Sequence, residues 1–234
     1  MHRIHIIGTK AGCAISMPAV LLLAAVLSGC AGAQGKVSVL QEEPSGQTPA
    51  HVYVCADGNR FVSKQEGSRL WLFLPGKTLA LQAQQNTEGV VYGNDGITLS
   101  GNGGERAQLR IDGQPKSDCR LDRRQSIWES AKLNGVDFRA VGNEPGWHLE
   151  IRNGQSIELV SNYGEDTYRF AAPQPVVDRQ SGTSVYHARN AGHELTVTLR
   201  LGPCRDSMSG ESFETSVELQ LDGKLLQGCG RALH

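Results

Sequence analysis

The sequence predicts an all-β protein in which two small antiparallel barrel or sandwich domains are joined by a short helix. Three observations carry that prediction. Glycine is abundant, at 28 of 234 residues, and several glycines follow Asp or Asn in pairs that suit hairpin turns. The apolar runs are short and separated by those turns, a strand pattern rather than a helical one. Cys55, Cys119, Cys204 and Cys229 form two sets far apart in the chain, one for each domain. With 39% hydrophobic residues the chain can fill cores of this size, which argues against intrinsic disorder. Lys and Arg number 23 against 24 Asp and Glu, a net charge of -1, so no bulk attraction toward nucleic acid is encoded.

Residues 1–29 read as a targeting segment outside the fold. Arg3 and Lys10 stand there without an acid, and residues 11–27 are apolar but interrupted at Pro18. A membrane span wants about 20 apolar residues, so a signal peptide fits better. Its end, Leu27-Ser28-Gly29-Cys30, resembles the lipobox of bacterial lipoproteins. That resemblance implies a diacylglyceryl thioether on Cys30, palmitate-type acylation and, with Ala31 following, residence at the outer membrane of a Gram-negative cell envelope. Each acyl CH₂ buried in lipid contributes about 0.8 kcal/mol, so two or three chains make a lasting anchor. Without Arg3 and Lys10, 21 basic residues face 24 acidic ones. Residues 30–50 are the lipidated cysteine and a small, polar tether, which as a flexible coil spans roughly 25 Å.

Residues 51–121 alternate short apolar runs with turn signals. Residues 52–55 precede Asp57-Gly58, residues 70–74 precede Pro75-Gly76, residues 90–92 precede Asn94-Asp95-Gly96, and residues 107–111 precede Asp112-Gly113. This is the spacing of an antiparallel barrel or sandwich. Four cysteines allow three pairings, and an oxidising compartment favours pairing. Cys55 on the first strand and Cys119 on the last are placed to clasp the two ends of one sheet.

Residues 122–135 read as the connecting helix. Ser126 with Glu129 suggests a capping box, Ile127, Trp128 and Ala131 a partial apolar face, and Gly135 a stop. From residue 136 to 234 strand patterning returns at residues 138–141, 147–151, 157–160, 185–188, 195–201, 217–221 and 225–226, with hairpin signals at Asn153-Gly154 and Asp222-Gly223. This part holds 9 basic and 13 acidic residues and so carries most of the acidity.

Several residues of the first unit invite a family comparison. Tyr53-x-Cys55-x-Asp57-Gly58, Phe61-Val62, Leu74-Pro75-Gly76-Lys77 with Leu79 and Leu81, Gly89-x-x-Tyr92, and Cys119 with Leu121 together resemble the membrane-bound inhibitors of C-type lysozyme. The likeness covers residues 51–121. It implies an eight-stranded barrel closed by a disulfide, with a loop that enters the active-site cleft of lysozyme. That cleft works with one protonated and one ionised carboxyl group, so the inserted loop needs hydroxyl or cationic donors on a rigid frame. In the family a Ser precedes the glycine of Gly-x-x-Tyr, and a Lys sits in a Lys-Gly pair on the next loop. Here those positions hold Glu88 and Asn102. Glu88 would bring a third carboxylate, which repels the other two unless one takes a proton, and Asn102 keeps a donor without the charge. The contact set implied by the resemblance is Thr87, Glu88, Gly89, Tyr92, Ser100 and Asn102, with Thr87, Tyr92 or Ser100 as the remaining donors.

Residues 138–147, 204–210 and 228–231 look like an uncharacterised domain of bacterial envelope proteins, over residues 136–233, which brings no activity with it. Asp206, Ser207 and Ser209 with His148, His187 or His193 are the residue types of a hydrolase triad. No Gly-x-Ser-x-Gly elbow accompanies them. Cys204 and Cys229 lack a second, closely spaced ligand pair for metal, which favours a disulfide. Asn143-Glu144-Pro145-Gly146-Trp147 is either a ligand-facing turn with an aromatic platform or a plain turn whose Trp enters the core. No phosphate-cradling loop, dinucleotide fingerprint or zinc-type His pair occurs, and no cofactor is expected. The expectation for function is an outer-membrane lipoprotein, not an enzyme, that binds and inhibits C-type lysozyme through its first domain. The alternative is an envelope scaffold or ligand-binding lipoprotein whose barrel no longer inhibits.

Overall fold

The computed structural model describes residues 48–86, 89–94 and 96–234. The signal segment, Cys30 and most of the tether lie outside the described residues, as do Thr87 and Glu88.

The first unit is an eight-stranded closed barrel, ordered as the chain runs: β1 (Ala50–Cys55), β2 (Arg60–Glu66), β3 (Arg69–Leu74), β4 (Lys77–Asn86), β5 (Gly89–Asn94), β6 (Ile97–Ser100), β7 (Arg106–Ile111) and β8 (Ser117–Leu121). Inward positions alternate with outward ones, as the two-residue period of a strand dictates. Tyr53, Phe61, Leu70, Leu72, Leu81 and Leu99 are fully buried inside. Closure comes from β1 pairing antiparallel with β8, where Cys55 stands opposite Cys119 and the two form a disulfide. The expected strands and turns at Asp57-Gly58, Pro75-Gly76 and Asp112-Gly113 are in place, and β2, β4 and β6 complete the wall.

A single helix, α1 (Arg123–Leu133), follows at once. Its cap corrects the capping-box expectation. Asp122, extended at φ -92 as it leaves β8, accepts from the Gln125 N–H at 3.0 Å. Ser126 instead lies inside the helix, where its hydroxyl donates to the Asp122 carbonyl at 2.7 Å and accepts the Val52 N–H at 2.8 Å. Ser130 does the same for Ala50, accepting its N–H at 2.7 Å and donating to its carbonyl at 3.1 Å. The reason lies in the barrel: β8 pairs with β1 only from Tyr53 to Cys55. The first residues of β1 would otherwise leave buried backbone groups unpaired, and two helix hydroxyls replace the missing strand. The expected helical face changes accordingly, with Trp128 and Ala131 buried but Ile127 52% exposed. Gly135 ends the helix at φ +76, its N–H bonding to the Lys132 carbonyl and that of Val136 to the Ala131 carbonyl.

The second unit is one curled sheet of nine antiparallel strands. They are β9 (Phe138–Asn143), β10 (Gly146–Arg152), β11 (Ser156–Ser161), β12 (Asp166–Ala171), β13 (Val176–Asp178), β14 (Thr183–Arg189), β15 (Glu194–Arg205), β16 (Ser212–Leu221) and β17 (Lys224–Ala232). Their order across the sheet is β12-β11-β10-β9-β17-β16-β15-β14-β13, so the last strand lies between β9 and β16. The sheet curls until its limbs approach: Asn190 Nδ2 donates to the Arg169 carbonyl at 3.1 Å, and the Tyr168 and His193 rings meet edge-on at 4.9 Å. Its concave side holds the main core, including Trp147, Leu149, Ile157, Leu159, Leu195 and Leu219. A bulge between Leu201 and Cys204 precedes the second disulfide, Cys204–Cys229, which reaches from β15 across β16 to β17. The residues expected to pair as disulfides thus form two.

The helix lies against the outer face of this sheet. Trp128 packs with Phe213, Cys229 and Leu233, and the Arg231 guanidinium sits 4.3 Å over its ring. Arg124 pairs with Glu211 and bonds Ser209 Oγ at 2.6 Å. Arg139, 7% exposed beneath the helix, pairs with Glu150, which also pairs with Arg152 at 3.3 Å.

Candidate functional site

In an up-and-down barrel successive hairpins alternate between the two ends. The β2–β3 and β6–β7 connections, the end of β4 and the start of β5 therefore share one rim with the start of β1, and the Cys55–Cys119 bridge lies toward the other. Among the described residues, Gly89, Tyr92, Ser100 and Asn102 of the expected contact set fall on this rim or just inside it. Gly89 opens β5 opposite Asn86, the last residue of β4. Ser100 ends β6 and faces outward, lining a cleft of about 710 Å³ in the barrel wall with Arg106, Gln108, Asp118 and Arg120. Tyr92 belongs to the interior: it is buried, and its hydroxyl donates to Gln65 Oε1 at 3.0 Å.

Asn102 is drawn inward. Ser63, fully buried, donates to Asn102 Oδ1 at 2.6 Å. The loop around it is latched onto the barrel interior through Tyr53, whose hydroxyl accepts the Gly103 N–H at 2.9 Å and donates to the Gly104 carbonyl at 3.0 Å. Residues 101–104 therefore close this end of the barrel over Tyr53 and Phe61, which stack at 5.1 Å between ring centroids. Burial raises the pKa of Tyr53; the Gly103 N–H works against that and Glu105 adds to it, so the phenol stays protonated and keeps its latch. Burial lowers the pKa of His51, which stands beside the loop.

The hydrolase-type residues of the second unit are not brought together. Asp206 opens a turn in which its Oδ1 accepts the Ser209 N–H and hydroxyl, both at 2.6 Å, while its Oδ2 accepts Asn143 Nδ2 at 2.8 Å. Burial pushes the Asp206 carboxyl up, but these bonds outweigh it and hold it below the ordinary carboxylate range. Ser207 accepts from the same Asn143 amide at 3.1 Å. His187 on β14 bonds Thr196 at 3.3 Å, and His193 in the β14–β15 connection bonds Asp222 at 2.6 Å, both away from that turn. His148 lies on the outer face of β10 opposite Val141 and Val160. Burial drives its pKa down to about 4, with Arg139 adding to the effect and Glu158 opposing it.

Comparison with family models, with curated proteins and with solved structures returns no match to this chain. The likeness of residues 51–121 to lysozyme inhibitors therefore rests on the residues quoted above. Among the described residues no cluster of three or more His, Cys, Asp or Glu is arranged to hold a metal ion, and no helix is long and apolar enough to cross a membrane.

Sequence reasoning passed over three features of this surface. The Ser126 and Ser130 hydroxyls complete the barrel edge, a role that only the short β1–β8 pairing reveals. The buried Arg139–Glu150 pair gives no sequence signal beyond opposite charges in adjacent strands. Tyr163 is an exposed aromatic, whereas Trp147, the aromatic that the turn pattern singled out, is buried in the core.

Proposed function

We propose that this protein acts by binding rather than catalysis, as a lipid-anchored envelope protein held at the bacterial outer membrane through Cys30, with its barrel engaging a C-type lysozyme. The observation that carries the reading is the closed eight-stranded barrel, stapled between first and last strands by Cys55–Cys119, which is the scaffold that the resemblance implies. The end of β4, the start of β5 and the β6–β7 connection lie on one rim, so a single partner surface can meet them together. The acidic excess that remains once residues 1–29 are removed complements a cationic lysozyme.

One observation favours a second reading, a barrel that no longer inhibits. Asn102 spends its carbonyl on Ser63, and the loop that would enter a cleft is folded over the barrel end. Titrating the detergent-solubilised full chain against a C-type lysozyme separates the two. Inhibition by micromolar protein supports the first; unchanged lytic activity supports the second. The double variant Glu88→Ser, Asn102→Lys sharpens the comparison. A lysine at position 102 cannot accept from Ser63, so its ammonium turns outward, and inhibition strengthens if that rim enters the cleft.

A further inference from the structure

Tyr163 occupies an unusual position. It is 79% exposed, and its backbone is left-handed at φ +58, between Asn162 at φ +52 and Gly164 at φ +99. Two adjacent non-glycine residues in this conformation are costly and are found mainly where surrounding structure fixes them. Here the fixing contact is Gly146. A Cβ at that position would come within 2.8 Å of Tyr163 Cδ1 and 2.9 Å of Cε1, so only glycine admits the ring. The tyrosine is thus seated on the backbone of the β9–β10 hairpin with most of its surface open to solvent.

Gly146 pairs with Asn143, and side chains of such a pair lie on the same face of the sheet. Asn143 is also the near wall of a cleft of about 730 Å³ on that outer face, with Glu144, Arg205, Ser207, Glu218 and Gln227. The cleft size is typical of a ligand site. Its chemistry is planar amides, carboxylates, two guanidiniums and two hydroxyls, with both charge signs present and Arg200 paired to Glu218 at 3.9 Å. A polyanion would meet as much repulsion as attraction. A polyhydroxylated neutral ligand would find donors and acceptors side by side. The frame is stiff: Cys229 of the disulfide lines the cleft, and Asp206 clamps Asn143 and the following turn. Little order is therefore lost on binding.

We propose that Tyr163 and the cleft from Asn143 to Gln227 form a glycan-binding site, in which the C–H face of a pyranose stacks on the tyrosine ring and its hydroxyls bond the cleft side chains. This assignment is independent of the barrel's reading. The class is a pyranose oligosaccharide, and its source is either the glycan strand of the cell wall or a soluble oligosaccharide. Isothermal titration of the full chain in a sugar-free zwitterionic detergent, against soluble oligomers of β-1,4-linked N-acetylglucosamine and of glucose, with co-sedimentation on purified sacculi, distinguishes these. Binding of the amino-sugar series together with sacculi indicates the wall; binding of the glucose series alone indicates a soluble ligand. In either case Tyr163→Ala should weaken affinity by about tenfold, while Tyr163→Trp retains it. If neither series nor sacculi bind, or if Tyr163→Ala binds as tightly as the parent, the assignment is wrong.

Discussion

His148 is the residue whose ionisation bears most directly on stability. Its pKa is lowered from an ordinary 6.5 to about 4, so the unfolded chain takes up a proton first as pH falls. The stability it contributes is complete above pH 6.5 and is lost progressively toward pH 4. For a group this buried the loss is about 2 to 3 kcal/mol. His51 titrates with the same sign, so the variant His148→Asn isolates one contribution. Thermal melts at about pH 7 and about pH 4.5 should show a smaller drop for His148→Asn than for the parent; equal drops would mean that His148 protonates freely in the fold.

At the scale of the element, the barrel depends on α1 as a substitute for strand pairing. Ser126→Ala leaves the Val52 N–H buried without its acceptor, which costs about 1 to 3 kcal/mol. Urea denaturation should show that loss as a lower midpoint at unchanged slope; an unaltered midpoint would mean that water or another group serves Val52 equally well. This element also shows how far the sequence could be read. The helix and its Gly135 stop were legible because Trp128, Ala131 and the glycine follow helical rules. The start was misread because Ser126 and Glu129 mimic a capping box, whereas Asp122 is made the cap by the strand that delivers it. Strands β12 and β13 left little apolar signal. In β12 only Tyr168 and Phe170 meet the core, and all three residues of β13 are exposed on a sheet edge.

At the scale of the molecule, the two disulfides act on chains of different length. Cys55–Cys119 spans 64 residues and Cys204–Cys229 spans 25. On loop-closure entropy the first contributes about 4 kcal/mol and the second about 3.5 kcal/mol. Replacing Cys55 and Cys119 together by Ser should therefore lower the melting temperature of the first unit more than the corresponding change at Cys204 and Cys229 lowers that of the second, measured by scanning calorimetry. The reverse order would show that strain or residual structure outweighs chain entropy. The all-β class, the two-unit division and the cystines were readable from residue types and spacing. The inward turn of Asn102, the burial of Arg139 and the seating of Tyr163 depend on partners 39, 11 and 17 positions away, which no local pattern encodes.

The place of β17 bears on how such a chain is made. A polypeptide that emerges from its N-terminus can assemble the first unit early, because every barrel neighbour but one is also the next strand in sequence. The second unit has no such freedom. Strands β9 to β12 and β13 to β16 are two flaps, each with an apolar side, that share no strand pairing until β17 enters between them. Without residues 224–232 the two flaps have no strand to join them, so the cohesion of this sheet is concentrated in a single nine-residue segment.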